Sequence, residues 1–147
     1  MTNVHKPHND AVELALKHLP GAINSDSVFG YRKPYDIRWS GFNLRVKIAR
    51  PSKKVSQNKK RYYYTLDESK RKLIDFYILF ALNKSKIEGL FVLPKVLAPR
   101  RYITITHADK VLRYERFSTN LIDLASKIYS VDQQLPKLVK MKRQHGK

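Results

Sequence analysis

The spacing of apolar residues predicts a helix near each end of the chain. Residues 10–19 carry apolar side chains on one helical face, with Asp10 as the N-cap and Pro20-Gly21 as the stop signal. A second apolar stripe at helical spacing runs through residues 118–130. The basic segment from Leu135 onward is expected to be frayed.

A β-hairpin is predicted in the first half of the chain. Residues 34–40 form one predicted strand, Gly41 marks a turn, and residues 42–50 form the next strand. Apolar and polar residues alternate along that second strand, as they do when one face of a sheet is buried.

Further strands are predicted on both sides of this hairpin. Nearly continuous apolar runs at residues 75–82 and 87–93 are typical of strands buried on both faces. Other strands are expected at residues 25–32, 61–66 and 102–106. Thr65 also has the spacing to cap a short helix that ends at Leu73. Helix, several strands and a final helix predict an α/β or α+β sheet with helices packed on it.

The chain has room for one domain. Its 147 residues include 42% hydrophobic residues, enough for an ordinary core and too many for wholesale disorder. We expect a frayed N-terminus at residues 1–9, a single domain at residues 10–134 and a basic tail at residues 135–147. His5 and His8 fall in the segment expected to be frayed and have no predicted role.

Charge narrows the choice of partner. The chain has 30 Lys plus Arg against 12 Asp plus Glu, a net charge of +18, and a pI near 10.2. Such a protein attracts polyanions: nucleic acid, an anionic membrane or an acidic protein. The longest apolar run, residues 76–82, is too short to span a bilayer, so nucleic acid is favoured over membrane. No signal-peptide pattern and no cysteine are present, which predicts an intracellular protein, cytoplasmic or nucleoid-associated.

The positive charge is concentrated in one segment. From Tyr31 to Arg61 there are eleven Lys or Arg and a single acid, Asp36. Clustered cations of this kind bind phosphates. The predicted phosphate contacts are Arg45, Arg50, Lys53, Lys54, Lys59, Lys60 and Arg61. Tyr62, Tyr63 and Tyr64 follow, either as a stacking face for bases or as side chains packed on the sheet.

The hairpin resembles the core of the PD-(D/E)XK nuclease superfamily. The matching residues are Pro34-Tyr35-Asp36-Ile37, the Gly41 turn, and Leu44-Arg45-Val46-Lys47. The resemblance implies a restriction-endonuclease-like mixed β-sheet flanked by helices. It also implies an active site in which Asp36 binds Mg²⁺, Lys47 activates the attacking water, and Glu13 is contributed by the first helix.

This sequence departs from the family pattern at position 45. The superfamily has an acid, or sometimes Gln, where this chain has Arg45, and a guanidinium cannot bind Mg²⁺. Glu13 or Asn43 could supply an alternative oxygen. Each candidate also has a plain structural reading: Glu13 as a capping partner, Asp36 in a turn or salt bridge, and Lys47 as a phosphate contact.

Three functions remain open on the sequence alone. The first is a DNA-binding module built on a nuclease fold with a degenerate catalytic site, requiring no cofactor. The second is a divergent Mg²⁺-dependent endodeoxyribonuclease, for which restriction-type relatives suggest a homodimer. The third is a basic RNA-binding protein unrelated to nucleases.

Overall fold

The computed structural model describes residues 6–25, 34–51, 61–66, 71–84, 86–106 and 114–145. Short 3₁₀ turns lie at Arg71–Leu73, Lys95–Leu97 and Glu115–Phe117. The helices and strands, in chain order, are α1 (Lys6–Lys17), β1 (Ile23–Asn24), β2 (Ile37–Trp39), β3 (Phe42–Ala49), β4 (Arg61–Thr65), β5 (Phe76–Asn83), β6 (Lys86–Pro94), β7 (Tyr102–Thr106) and α2 (Leu124–His145).

Seven strands form two sheets within this described part of the chain. The larger sheet has the order β1-β2-β3-β5-β6, in which β3 and β5 are parallel and the other neighbours are antiparallel. Strands β4 and β7 form a separate antiparallel ribbon. Helix α1 contacts β3, and helix α2 contacts β6. The predicted α/β class with a mixed sheet is therefore confirmed.

The predicted hairpin is present as β2 and β3. Ile37 pairs with Leu44 and Trp39 with Phe42, so Ser40 and Gly41 form a two-residue loop. Both loop residues have positive φ, 52° and 82°, as the tight turns that match the twist of a hairpin require. The Ser40 hydroxyl hydrogen-bonds the Tyr129 hydroxyl, which ties this turn to α2.

Strand β5 lies at the centre of the core. Its residues from Phe76 to Ala81 are all buried, because β3 and β6 flank it in the sheet and both of its faces are covered. The continuous apolar pattern of this segment predicted that environment correctly. Strands β5, β6 and β7 lie where the sequence placed them.

Both helices differ from their predicted limits. Helix α1 begins at Lys6, four residues before the predicted cap Asp10, and its residues Ala11, Val12 and Ala15 are buried. Helix α2 begins at Leu124 and continues through Pro136 to His145, across the segment expected to be frayed. Its core side chains extend to Leu138, and this added burial explains the greater length. Neither described helix is long and apolar enough to cross a membrane.

Two local predictions fall largely on residues outside the described part. Residues 26–33 of the strand predicted at residues 25–32 lie outside it, and the first described strand is the two-residue β1 just before them. Thr65 is the last residue of β4, so no helix begins there, and residues 67–70 of the predicted helix also lie outside the described part. The described end of the predicted helix is the 3₁₀ turn at Arg71–Leu73.

A β-bulge in β6 links the two sheets. The pairing of β5 with β6 shifts between Ala81 and Leu82, which leaves Glu88 as the extra residue. The Glu88 carboxylate accepts hydrogen bonds from the Tyr62 hydroxyl of β4 and from Asn83 Nδ2, the latter at 2.9 Å. Burial and the neighbouring carboxylate both raise the pKa of Tyr62. The Tyr62 hydroxyl therefore stays protonated at neutral pH and donates to Glu88.

The neighbouring buried Tyr64 provides a test of this packing. Its hydroxyl has no hydrogen-bond partner among the described residues, and burial raises its pKa. Tyr64→Phe should leave the free energy of unfolding unchanged or raise it by about 1 kcal/mol, because it removes an unsatisfied buried group. Tyr62→Phe should lower it by about 1.5–3 kcal/mol, because it breaks a hydrogen bond to a carboxylate. Urea denaturation of the two variants measures both values, and equal losses would contradict this assignment.

Candidate functional site

The β2–β3 hairpin places Asp36 opposite Arg45. Asp36 directly precedes β2, and its N–H donates to the Leu44 carbonyl at 2.8 Å. Continuing the Ile37–Leu44 register by one residue brings the side chains of residues 36 and 45 together. The Asp36 side chain is only 4% exposed and that of Arg45 is 27% exposed. The carboxylate is thus buried, while the guanidinium reaches towards the surface.

Both oxygens of the Asp36 carboxylate have partners. Arg45 Nη1 lies 3.1 Å from Oδ1 and 3.2 Å from Oδ2, so one guanidinium nitrogen bridges the carboxylate. The Val46 N–H donates to Oδ2 at 2.8 Å. A buried carboxylate requires such partners, because burial removes its hydration.

Helix α1 contributes a third partner, His8. Its Nε2 lies 3.4 Å from Asp36 Oδ2 and 3.1 Å from the Val46 carbonyl oxygen. Both neighbours are acceptors, so Nε2 carries the hydrogen. The hydrogen bond and negative charge of Asp36 raise the pKa of His8, although burial and the charge of Arg45 oppose the rise. The protonated imidazole therefore fits this position better than the neutral one.

Sequence reasoning missed His8 because it began α1 too late. The capping spacing predicts a helix start at Asp10, which places His8 in a segment expected to be frayed. The signal lay in the apolar spacing: His8 is three, four and seven residues before Ala11, Val12 and Ala15, on one helical face. Pro7 is also a favourable residue in the first turn of a helix.

Glu13 lies elsewhere on α1. It is exposed, and five residues of helix place it about 140° around the axis from His8. Val12 and Ala15, which lie close to Glu13 along α1, are buried. The α1 side chain that the structure brings to Asp36 is thus His8.

Asn43 and Lys47 flank Arg45 on the same face of β3. The Asn43 N–H donates to Asp75 Oδ2 at 2.8 Å, and its Nδ2 donates to the Leu73 carbonyl at 2.9 Å. Asn43 is therefore held against the segment before β5. Lys47 is partly buried on the other side of Arg45.

The remaining predicted phosphate contacts are only partly described. Arg50 is exposed directly after β3, and Arg61 is the first residue of β4. Lys53, Lys54, Lys59 and Lys60, with the loop predicted for residues 52–60, lie outside the described residues.

As placed, these side chains do not fit a magnesium ion. Mg²⁺ needs carboxylate or carbonyl oxygens that are free to bind it, and both oxygens of Asp36 are engaged by Arg45, Val46 and His8. A guanidinium beside the carboxylate also repels a divalent cation. The described residues contain no cluster of three or more His, Asp or Glu side chains that could hold a metal.

The His8–Asp36 contact should make stability depend on pH. A histidine whose pKa is raised by folding stabilises the protein fully below its unfolded value near 6.5, and loses that effect as pH rises through the folded value. The advantage of the wild type over His8→Gln should therefore be greatest below pH 6.5 and decline above it. Urea denaturation of both proteins between pH 5.5 and 8.5 measures the difference. A difference that is constant over this range would show that protonated His8 does not interact with Asp36.

Comparison with known proteins places the fold. No protein-family model matches the chain, and no curated protein matches it. Among solved structures, the chain is similar to a bacterial homing endonuclease, I-Ssp6803I, with a TM-score of 0.55 and 20% sequence identity. The match covers 86% of this chain and 91% of that chain. This protein therefore has an α/β endonuclease-like fold.

Proposed function

We propose that this protein binds DNA through a nuclease-like domain of PD-(D/E)XK type and does not cleave it. The observation that carries the proposal is the ion pair between Arg45 and the buried Asp36, at 3.1 Å. This pair occupies the position where the superfamily resemblance implies two carboxylates and a metal ion. The guanidinium of Arg45 takes the place of the metal ion.

Charge supports binding at the same surface. Arg45 neutralises Asp36, and the exposed Arg50 adds a positive charge at the end of β3. The sequence that follows adds Lys53, Lys54, Lys59 and Lys60. Cations gathered in this way attract phosphates and release their counterions.

DNA is the favoured nucleic acid because of the fold. The similar solved structure is named as a homing endonuclease, and DNA is favoured over RNA by analogy with that fold. An intracellular, nucleoid-associated location would follow from DNA binding. A homodimer would be consistent with restriction-type relatives.

The second candidate is a Mg²⁺-dependent endonuclease that uses Asp36, Lys47 and Glu13. The endonuclease-like fold favours it, together with the position of Asp36 and Lys47 on one hairpin. It would require Arg45 to leave Asp36 when metal and DNA bind. The two candidates therefore differ in what divalent metal does.

A cleavage assay separates these candidates. Supercoiled plasmid and labelled linear duplex are incubated with the wild-type protein, with and without Mg²⁺ or Mn²⁺. We expect a gel shift that does not depend on metal, and no nicking. Metal-dependent nicking that is lost in both Asp36→Ala and Lys47→Ala, with DNA binding retained, would establish the endonuclease instead.

Substitution of Arg45 tests the replacement of a metal by a guanidinium. Arg45→Glu places two carboxylates together, so its melting temperature should fall by about 5 °C or more without metal. Mg²⁺ or Mn²⁺ should restore part of that loss, and neither ion should stabilise the wild type. Arg45→Gln is the matched control, because it removes the cation without adding a carboxylate. Stabilisation of the wild type by Mg²⁺ would contradict the proposal.

The salt dependence of binding tests the role of the basic segment. Each phosphate contact contributes about 0.9 to the slope of log K against log salt, so Lys53→Gln with Lys54→Gln should reduce the slope by about 2. The control, Lys84→Gln with Lys86→Gln, removes the same charge from residues 67–91, where five Lys or Arg face four Asp or Glu. Fluorescence anisotropy from 50 to 300 mM NaCl measures both slopes. Equal reductions would assign binding to overall charge and not to this segment.

A further inference from the structure

The β4–β7 ribbon has one buried face and one exposed face. Its buried side chains are Tyr62, Tyr64, Ile103 and Ile105, which pack in the core. Its exposed side chains are Tyr63, Thr65, Tyr102 and Thr104. Thr65 pairs with Tyr102 and Tyr63 with Thr104, so the four form one continuous surface.

This exposed surface consists of hydroxyl-bearing side chains. Tyr63 and Tyr102 are 54% and 53% exposed, and their ring centroids lie 5.1 Å apart with the planes tilted by 30°. Two large tyrosines held together in solvent contribute little to the core. Each of the four hydroxyls can donate and accept hydrogen bonds, which suits a polar partner.

Exposed basic residues border one end of this surface. Arg100 and Arg101 are exposed directly before Tyr102, and the Leu66 N–H donates to the Arg101 carbonyl at 2.7 Å, which continues the strand pairing by one step. Strand β4 begins with Arg61, preceded in the sequence by Lys59 and Lys60. Since the strands are antiparallel, Arg61 begins β4 at the end of the ribbon away from Tyr102.

We propose that the exposed face of the β4–β7 ribbon enters the major groove of DNA, where Tyr63, Thr65, Tyr102 and Thr104 contact base edges. This inference rests on the DNA binding proposed above. A two-stranded ribbon fits the major groove, which is about 12 Å wide. Five residues of strand extend about 17 Å, and the exposed Arg100 and Arg101 at one end of the ribbon contact the phosphates that border the groove.

Other nucleic acids fit this face less well. The Tyr63 and Tyr102 rings already contact each other, so a single-stranded base cannot insert between them. The major groove of double-stranded RNA is too deep and narrow for side chains to read. Duplex DNA is the partner that this shape and charge favour.

Removing the hydroxyls tests base recognition with little risk to folding. The variant Tyr63→Phe, Thr65→Val, Tyr102→Phe, Thr104→Val keeps the shape of the exposed face and its β-forming residues. The control variant Ser126→Ala, Ser130→Ala removes hydroxyls from the exposed Ser126 and the half-buried Ser130 of α2. Circular dichroism and urea denaturation confirm that each variant is folded.

Duplexes selected from a random pool by the wild type supply the readout. The affinity for the selected duplex is compared with that for a scrambled duplex, and dimethyl sulfate interference distinguishes guanine N7 in the major groove from adenine N3 in the minor groove. For the wild type we expect interference at guanine N7. Each recognised base pair should contribute about 5- to 150-fold to the preference. The hydroxyl variant should lose this preference and keep its affinity for scrambled DNA, and the control should keep both.

Each contrary result has a separate meaning. A wild type that binds scrambled and selected duplexes equally, a hydroxyl variant with unchanged preference, or interference only at adenine N3 would overturn the ribbon assignment and leave DNA binding intact. Tighter binding to single strands that the hydroxyl variant weakens would also overturn it, in favour of base stacking. Failure of the wild type to bind any duplex would overturn both proposals.

The two arginines directly before β7 are tested independently of the hydroxyls. Arg100→Gln with Arg101→Gln should weaken binding to selected and scrambled duplexes by the same factor, and reduce the salt slope by about 2. A change in sequence preference, or no change in the salt slope, would show that these arginines do not border the groove.

Discussion

Burial of a carboxylate is costly unless charged and hydrogen-bonding groups replace its lost water, and the arrangement around Asp36 depends on that requirement. Asp36 is 3% exposed where β2, β3 and α1 meet. Arg45 supplies the charge, the Val46 N–H supplies a backbone donor, and His8 anchors the first turn of α1 to the hairpin. The same carboxylate thus organises three elements, and its lone pairs are engaged in holding the structure together.

The sequence predicted local features better than distant ones. The hairpin followed from alternation and the Gly41 turn, because both depend on residues close in the chain. The pairing of Asp36 with Arg45 was found only in the structure. The buried strand β5 followed from its apolar run. In contrast, a Tyr-rich composition identified β4 and alternation identified β7 without indicating their pairing, since strands more than 35 residues apart leave no local signal of partnership.

The errors at the helix ends have a common cause. By local preference, the capping pattern at Asp10 predicts the start of the first helix. The basic composition after Leu135 predicts the end of the last helix. In the structure, tertiary contacts extend both helices beyond these limits. His8 hydrogen-bonds the hairpin, and Leu138 is buried against the core. The candidate site depended on the first of these errors. Its acid and its arginine were identified from the sequence, and its histidine was not.

The two-residue loop at Ser40-Gly41 also has a kinetic consequence. Asp36 and Arg45 are nine positions apart, so the hairpin closes a short loop at low entropic cost. Tyr62 pairs with Ile105, which is much further along the chain, so closing the β4–β7 ribbon costs more loop entropy. We expect the hairpin to form early during folding and the ribbon late. The outer tyrosine surface would then be assembled on a scaffold that is already compact.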